Sequence, residues 1–190
     1  MMRNTPGPAI PANPSDIACL ELVNSAFTDH TGGGLDVDRL ERAEWQRWFL
    51  DRYGLEVDTP QRPPVRELVE LRRSLRRLLE RWSRGAPLNA GDVRVLDDRV
   101  RAVPLRRRVV RRDGEVQVLD EPSRRDWVWM MGEVAASAVE LVRGGEPTRL
   151  KTCANPKCSW MFYDETVNRS KRFCSATPCA SLMRVRRFRS

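Results

Sequence analysis

The segments Cys153-Ala-Asn-Pro-Lys-Cys158 and Cys174-Ser-Ala-Thr-Pro-Cys179 decide the fold of the end of the chain. Fifteen residues separate the two pairs, so four thiolates can converge on one tetrahedral ion. The same ligands would suit an iron–sulfur cluster, but the paired, symmetric spacing favours zinc. A unit this short and this poor in aliphatic residues could hardly fold without a metal. We therefore predict one structural zinc ion per chain, bound by Cys153, Cys158, Cys174 and Cys179.

The segment between the cysteine pairs is expected to form a short hairpin. Ser159-Trp-Met-Phe-Tyr163 alternates as a strand does, residues 164–170 can turn the chain, and Lys171-Arg-Phe-Cys174 would be the returning strand. The stretch from Ala180 to Arg189 has helical spacing. A knuckle, a hairpin and a helix around one zinc are typical of a treble-clef-like zinc finger, here over residues 151–190.

This predicted finger is strongly basic. Residues 151–190 contain nine Lys and Arg against two acidic residues, which leaves 25 basic and 24 acidic residues in the rest of the chain. A cationic end suits nucleic acid, an anionic membrane or an acidic protein, and nucleic acid is the expected partner.

Helical geometry selects candidate contacts on the terminal helix. Cys179, Leu182, Val185 and Phe188 share one face, which should pack on the zinc hairpin, while Arg184 and Arg187 lie opposite. The predicted nucleic-acid contacts are therefore Arg184 and Arg187, joined by Arg169, Lys171 and Arg172 from the loop and strand.

The preceding residues, 15–145, are expected to form a mainly helical domain with one β-hairpin, after a flexible leader over residues 1–14. Strand-like residues on either side of Asp113-Gly114 predict the hairpin. Because the helices carry their own apolar stripes, this body is expected to fold without the finger. The fold class is thus α+β, mainly α with a β-hairpin, followed by the zinc finger. Apolar spacing predicts helices over 16–27, 36–53, 65–85, 89–103 and 123–144.

Other functional classes are disfavoured by the sequence. No apolar stretch is long enough to span a membrane, and the first residues lack the apolar core of a secretory signal, so a cytoplasmic protein is expected. His30 is the only histidine, and four cysteines around a metal leave no open position for substrate or water. We therefore expect no catalysis. Cys19 is expected to be a small core residue outside the metal site.

A resemblance to a known family adds to this interpretation. Cys153 to Asp164, Asn168-Arg-Ser-Lys-Arg-Phe-Cys174 and Val185-Arg-Arg-Phe resemble the CGNR zinc finger. That finger typically follows an N-terminal ABATE domain, whose opening Leu-Asp-Phe-Val-Asn-Thr signature resembles Cys19-Leu-Glu-Leu-Val-Asn24-Ser. The resemblance implies a bacterial transcription regulator with a DNA-binding finger. It also implies a sensing or dimerising N-terminal domain, with the effector unknown.

The motif that names the finger is altered in this chain. Cys-Gly-Asn-Arg is replaced by Cys179-Ala180-Ser181-Leu182, which keeps the zinc ligand and lacks the asparagine and arginine. Those two side chains are well suited to reading adenine and guanine edges, so base readout is lost if they contact bases in relatives. If they brace the fold instead, the substitutions cost little. Two alternatives stay open, a finger that docks an acidic protein partner and a redox switch that releases zinc on oxidation.

Overall fold

The structure is a computed structural model that describes residues 14–29, 35–175 and 179–189, with the backbone alone for residues 29, 35 and 186–189. Most of the predicted leader, His30 and the glycine run after it lie outside the described residues. Within these ranges no helix is both long and apolar enough to cross a membrane.

Six α-helices and three antiparallel two-stranded ribbons make up the regular structure of the described residues. This confirms the predicted class, a mainly helical α+β body followed by a small cysteine-rich unit. The helices are α1 (Ala18–Val23), α2 (Ala43–Tyr53), α3 (Val65–Ser83), α4 (Ala90–Arg101), α5 (Trp127–Gly144) and α6 (Ser181–Arg189). The ribbons pair β1 (Ala26–Asp29) with β2 (Leu35–Asp38), β3 (Leu105–Arg112) with β4 (Glu115–Pro122), and β5 (Leu150–Thr152) with β6 (Met161–Tyr163).

The long helix α3 begins directly after Pro63-Pro64 and ends before Gly85, which has a positive φ of 83°. Proline is favoured at a helix start and glycine just past its end, so both boundaries follow from the sequence. The predicted apolar stripe is buried against α1 and α5. Its fully or nearly buried members are Leu68, Leu71, Leu75, Leu78, Leu79 and Trp82.

The β3–β4 ribbon and α4 also match the sequence prediction. Asp113 and Gly114 both have positive φ, as a tight two-residue hairpin turn requires. Asn89 caps α4 through a reciprocal capping box with Asp92. Helix α5 begins later than the predicted residue 123, because Asp126 is its cap and accepts a hydrogen bond from the Trp129 N–H.

The helix predicted over residues 16–27 is wrong in its second half. It ends at Val23, and residues 26–29 form β1. The Ser25 carbonyl accepts a hydrogen bond from the Arg39 N–H, and β1 pairs with β2. Pairing with a later segment therefore overrides the local helical pattern. For the same reason the helix predicted over 36–53 begins later: Asp38 caps a single 3₁₀ turn, and α2 follows from Ala43.

One arginine of α3, Arg72, is buried. The Arg72 guanidinium donates to both carboxylate oxygens of Asp38, at 2.7 and 2.6 Å, and to the Ser25 hydroxyl at 2.9 Å. Burial alone would raise the pKa of the Asp38 carboxyl, but Arg72 outweighs it and holds that pKa below its usual value. This bidentate pair fastens β2 to α3.

Replacing Asp38 with asparagine is expected to lower the free energy of unfolding at pH 7 by about 2 kcal/mol, because Arg72 loses a charged partner. Since the folded pKa of Asp38 is depressed, its contribution is present above the unfolded pKa of about 3.9 and is lost as the pH falls toward the folded value. Urea unfolding at pH 7 and near pH 3 should therefore show a difference from wild type that shrinks with acid. Asp36→Asn, at an exposed position of the same strand, is the control and should change stability by less than about 0.5 kcal/mol.

The main core extends into the cysteine-rich unit. Leu150 of β5 and Met161 of β6 are 2% and 0% exposed and pack in the same cluster as the helices of the body. A body that ended near Gly145 would lack both side chains and expose the apolar surface they cover. The structure therefore argues against the expectation that residues 15–145 fold independently, and the boundary between the two domains stays a prediction.

Candidate metal centre and basic surface

Four cysteine sulfurs converge in one place. The Sγ atoms of Cys153, Cys158, Cys174 and Cys179 all lie within 4.8 Å of one another. The Sγ atom of Cys174 is 3.9 Å from that of Cys158 and 3.6 Å from that of Cys179. Zinc–sulfur bonds of about 2.3 Å place the sulfurs of a regular tetrahedron about 3.8 Å apart. The cluster is therefore positioned to bind one metal ion of this size.

The first two cysteines lie in a knuckle between β5 and β6. The Cys153 N–H donates to the Trp160 carbonyl at 2.9 Å, and the Cys158 N–H donates to the Asn155 carbonyl at 2.8 Å. Asn155 is 2% exposed, and its amide nitrogen lies 3.6 Å from the sulfur of Cys179. It thus fixes the knuckle and supports a sulfur from the other pair, as outer-shell residues of metal sites do. Asn155 was not singled out by the sequence analysis.

The predicted return strand over residues 171–174 is wrong. Strand β6 pairs with β5 instead, because that pairing places Leu150 and Met161 in the main core. The segment before Cys174 is held by one backbone hydrogen bond, from the Ala154 N–H to the Arg172 carbonyl at 2.8 Å. The Cys174 N–H then lies 3.5 Å from the Cys153 sulfur, which brings the second pair to the first.

The electrostatics of the cluster favour a cation. Hydrogen bonds from Cys158 and Cys174 lower the pKa of the Cys153 thiol, and the same contacts with Cys153 raise the pKa of Cys158 and of Cys174. Four thiolates so close together repel one another when no cation lies between them. A divalent ion stabilises all four thiolates at once.

A buried aspartate organises the loop between the cysteine pairs. Asp164 is 0% exposed and accepts hydrogen bonds from the Lys151 ammonium at 2.6 Å, the Lys171 N–H at 3.0 Å and the Thr166 N–H at 3.0 Å. Burial opposes its charge, yet these donors hold the pKa of Asp164 well below its usual value. The Lys151 ammonium also donates to the carbonyls of Arg169 and Lys171. Lys151 therefore stabilises the loop from within.

The loop places three predicted nucleic-acid contacts at the surface, since residues 165–172 are all exposed. Arg169 forms an ion pair with Glu146 at 2.6 Å, so part of its charge is compensated. The Lys171 ammonium lies 5.1 Å from the centre of the Phe162 ring. Within the described part of the chain, the Arg172 side chain has no ion-pair or hydrogen-bond partner.

Helix α6 carries the other two candidates. Arg184 is exposed, and no described residue pairs with its side chain. The backbone of Arg187 continues the helix, but its side chain lies outside the described residues. On the face predicted to pack inward, Cys179 is buried and Leu182 half-buried, but Val185 is 48% exposed. Among the residues of α6 whose side chains are described, only those of the first turn therefore pack against the rest of the protein.

Two residues of the body form hydrogen bonds to the knuckle and to β6, and neither was predicted to belong to the site. The Asn24 side chain is fully buried; its amide donates to the Met161 carbonyl and its oxygen accepts from the Met161 N–H, both at 2.8 Å. Arg76 donates to the Ser159 carbonyl at 3.0 and 3.1 Å. Asn24 belongs to the segment that resembles the ABATE signature. Its side chain therefore links that segment to the cysteine-rich unit.

A second contact joins the same two parts of the molecule. The Arg39 guanidinium lies 4.1 Å from the Phe27 ring centre and 5.4 Å from that of Trp160, and the two rings meet edge to face at 6.0 Å. Ring faces attract a cation, so Arg39 links β1 to the knuckle. Cys19, in contrast, is buried in α1 away from the cluster, where burial raises the pKa of its thiol to about 12.

Two family models match the sequence. Residues 16–145 match ABATE, described as "Putative stress-induced transcription regulator", and residues 149–190 match the CGNR zinc finger. Neither description is that of an enzyme. No curated protein matches the chain. Since the first model covers more than half of the residues and the second covers the four-cysteine cluster, the chain belongs to the ABATE family and carries a CGNR zinc finger at its end.

Proposed function

We propose that the protein is a DNA-binding transcriptional regulator whose four cysteines hold one structural zinc ion. The observation that carries the proposal is the closed set of four thiols in the same unit as an exposed basic loop and the exposed Arg184 of α6. All four ligands come from the protein, so the metal serves to fold the finger and no position is left for substrate. Residues 151–190 are the proposed finger, and residues 15–145 the proposed sensing or dimerisation domain.

Phosphate contacts supply the affinity in this proposal. Arg172 and Arg184 are exposed and have no partner among the described residues, so they can reach phosphate oxygens without first breaking an ion pair. Arg169, Lys171 and Arg187 complete the proposed contact set. Lys151 and Asp164 hold the loop in one conformation, which lowers the entropic cost of ordering it on DNA.

Base readout is expected to be weak. The positions of the missing asparagine and arginine are Ser181, which is exposed, and Leu182, which is half-buried, at the start of α6. Neither offers the bidentate hydrogen bonding by which those side chains identify a base. One small finger also buries only on the order of 600–1,000 Å² on DNA. We therefore infer that useful affinity needs two fingers, brought together by a second copy or by a partner protein.

Replacing Arg172 and Arg184 together with alanine is expected to weaken binding to all duplex sequences alike, because phosphate contacts carry no base information. The slope of log K against log salt should become shallower by up to about two units. Fluorescence anisotropy with a labelled random duplex, titrated between about 50 and 200 mM salt, measures both effects.

The matched control removes the same charge from the body. Arg66→Ala with Arg94→Ala changes two exposed arginines of α3 and α4 and should leave the salt slope as in wild type. If the Arg172→Ala, Arg184→Ala variant bound random duplex as tightly as wild type, Arg172 and Arg184 would not be DNA contacts.

A further inference from the structure

The β3–β4 ribbon presents an apolar face to solvent. Side chains of alternate residues, and of residues directly opposite in the register, point to the same side of a ribbon. Four large aliphatic residues on one side are exposed: Leu105 by 62%, Val109 by 70%, Val116 by 72% and Val118 by 61%. We call this side the ribbon face; it consists of Leu105, Arg107, Val109, Arg111, Val116, Val118, Asp120 and Pro122.

Nothing in the described part of the molecule covers the ribbon face. Apart from the pairing of its own strands, the ribbon has at most marginal contact with the other described elements. A two-stranded ribbon alone is marginally stable in water, and contiguous exposed apolar surface marks an interaction site. We therefore expect another molecule to bind the ribbon face.

The charges of the ribbon distinguish among possible occupants. Strand β3 carries five arginines and no acid, whereas β4 carries Glu115, Asp120 and Glu121 and no base. Edge-to-edge pairing of β3 with β3, or of β4 with β4, between two copies would bring like charges together. A face-to-face arrangement in which β3 of one copy lies over β4 of the other brings Arg107, one of the two arginines of the ribbon face, over the partner's Asp120, the acid of that face.

We propose that the ribbon face binds the ribbon face of a second copy of the chain. A two-fold axis parallel to the strands places β3 over the partner's β4 and keeps the register. Val109 then lies over the partner's Val118, and Arg107 lies over the partner's Asp120. Within one chain Arg107 already forms an ion pair with Asp120 at 2.9 Å, so the dimer holds a ring of four alternating charges. This proposal depends on neither the metal nor DNA.

The size of the face sets the expected strength. Eight residues per strand span about 26 Å, and the ribbon is about 10 Å wide with its side chains. That is well below the roughly 800 Å² per partner of a standard interface. The dimer is therefore weak and concentration-dependent, and sedimentation equilibrium of the full zinc-loaded chain up to about 200 μM is a suitable measurement.

A mixing experiment tests the pairing itself. In a dimer of the Arg107→Asp variant, the introduced aspartate faces the partner's Asp120. In a dimer of the Asp120→Arg variant, the introduced arginine faces the partner's Arg107. Each variant alone should therefore dimerise at least tenfold more weakly than wild type. In a mixture, the introduced aspartate of the first variant faces the introduced arginine of the second, and the unchanged Asp120 of the first faces the unchanged Arg107 of the second. The heterodimer should therefore form with near wild-type affinity. Native mass spectrometry separates the species because the two variants differ in mass.

Apolar substitutions complete the test. Val118→Asp should abolish dimerisation, while Val167→Asp, at a 98% exposed loop position outside the ribbon, should leave it unchanged. A wild-type protein that is monomeric at about 200 μM would overturn the proposal and leave the face to a different protein. Single-charge variants that fail to rescue each other on mixing would overturn it as well.

Discussion

Replacing Cys179 with serine is expected to reduce bound zinc from one ion per chain to a small fraction of that value and to unfold the finger. A serine hydroxyl is a far poorer ligand than a thiolate, and three remaining thiolates leave the tetrahedron open. Zinc binding contributes about 10–16 kcal/mol to the folding of small zinc modules, so its loss cannot be offset by this short unit. Elemental analysis of the purified chain and circular dichroism with and without a chelator measure the two effects.

The effect should extend beyond the finger. Leu150 and Met161 belong to the main core, so unfolding of residues 150–189 also removes cover from the helices of the body. We expect a lower melting temperature for the whole chain. Cys19→Ser is the control, because Cys19 lies outside the cluster; it should keep one zinc ion per chain. A Cys179→Ser protein with a full complement of zinc would contradict the assignment of the site.

Replacing Asn24 with alanine is expected to lower the free energy of unfolding by about 2–6 kcal/mol. The side chain satisfies the N–H and the carbonyl of Met161, and both become buried without a partner when it is removed. Each such group costs about 1–3 kcal/mol. Urea unfolding of the zinc-loaded chain measures the loss.

A second variant separates this link from a general effect of polar truncation. Asn168→Ala removes an exposed asparagine in the basic loop and should cost less than about 0.5 kcal/mol. If Asn24→Ala unfolded at the wild-type urea concentration, the body and the finger would not be fastened through Met161.

The sequence predicted those features whose cause is local. The cysteine spacing identified the four clustered sulfurs, Pro63-Pro64 and Gly85 bounded α3, and Asp113-Gly114 located the turn of the β3–β4 ribbon. In each case the residues that determine the feature lie next to it in the chain, so a periodicity or a turn signal is enough.

What the sequence analysis missed depends on partners far apart in the chain. Asn24 and Met161 are 137 positions apart, and nothing local distinguishes a buried asparagine that pairs with a distant backbone from one that caps a helix. The sequence predicted that β6 pairs with residues 171–174, because the alternation of its side chains is visible in the sequence and the identity of its partner strand is not. The actual partner, β5, has only three residues, too few to show a period of its own.

The same limit applies to charge. All the basic residues of the finger count equally in a sequence, but Lys151 is directed inward at the buried Asp164, whereas Arg169, Arg172 and Arg184 are exposed, with Arg169 in an ion pair with Glu146. The cationic end thus contains a residue that holds the loop and exposed residues that we propose as partner contacts. Only the second group is expected to change the salt dependence of binding.

The most direct test of the proposed function is the affinity of the zinc-loaded wild-type chain for a random-sequence duplex. Fluorescence anisotropy measures this affinity as salt is raised from about 50 mM. We predict measurable affinity at low salt and a decline with a log–log slope of about −3 to −5, as three to five phosphate contacts require. Absence of binding at low salt would contradict the account and favour a finger that docks an acidic protein.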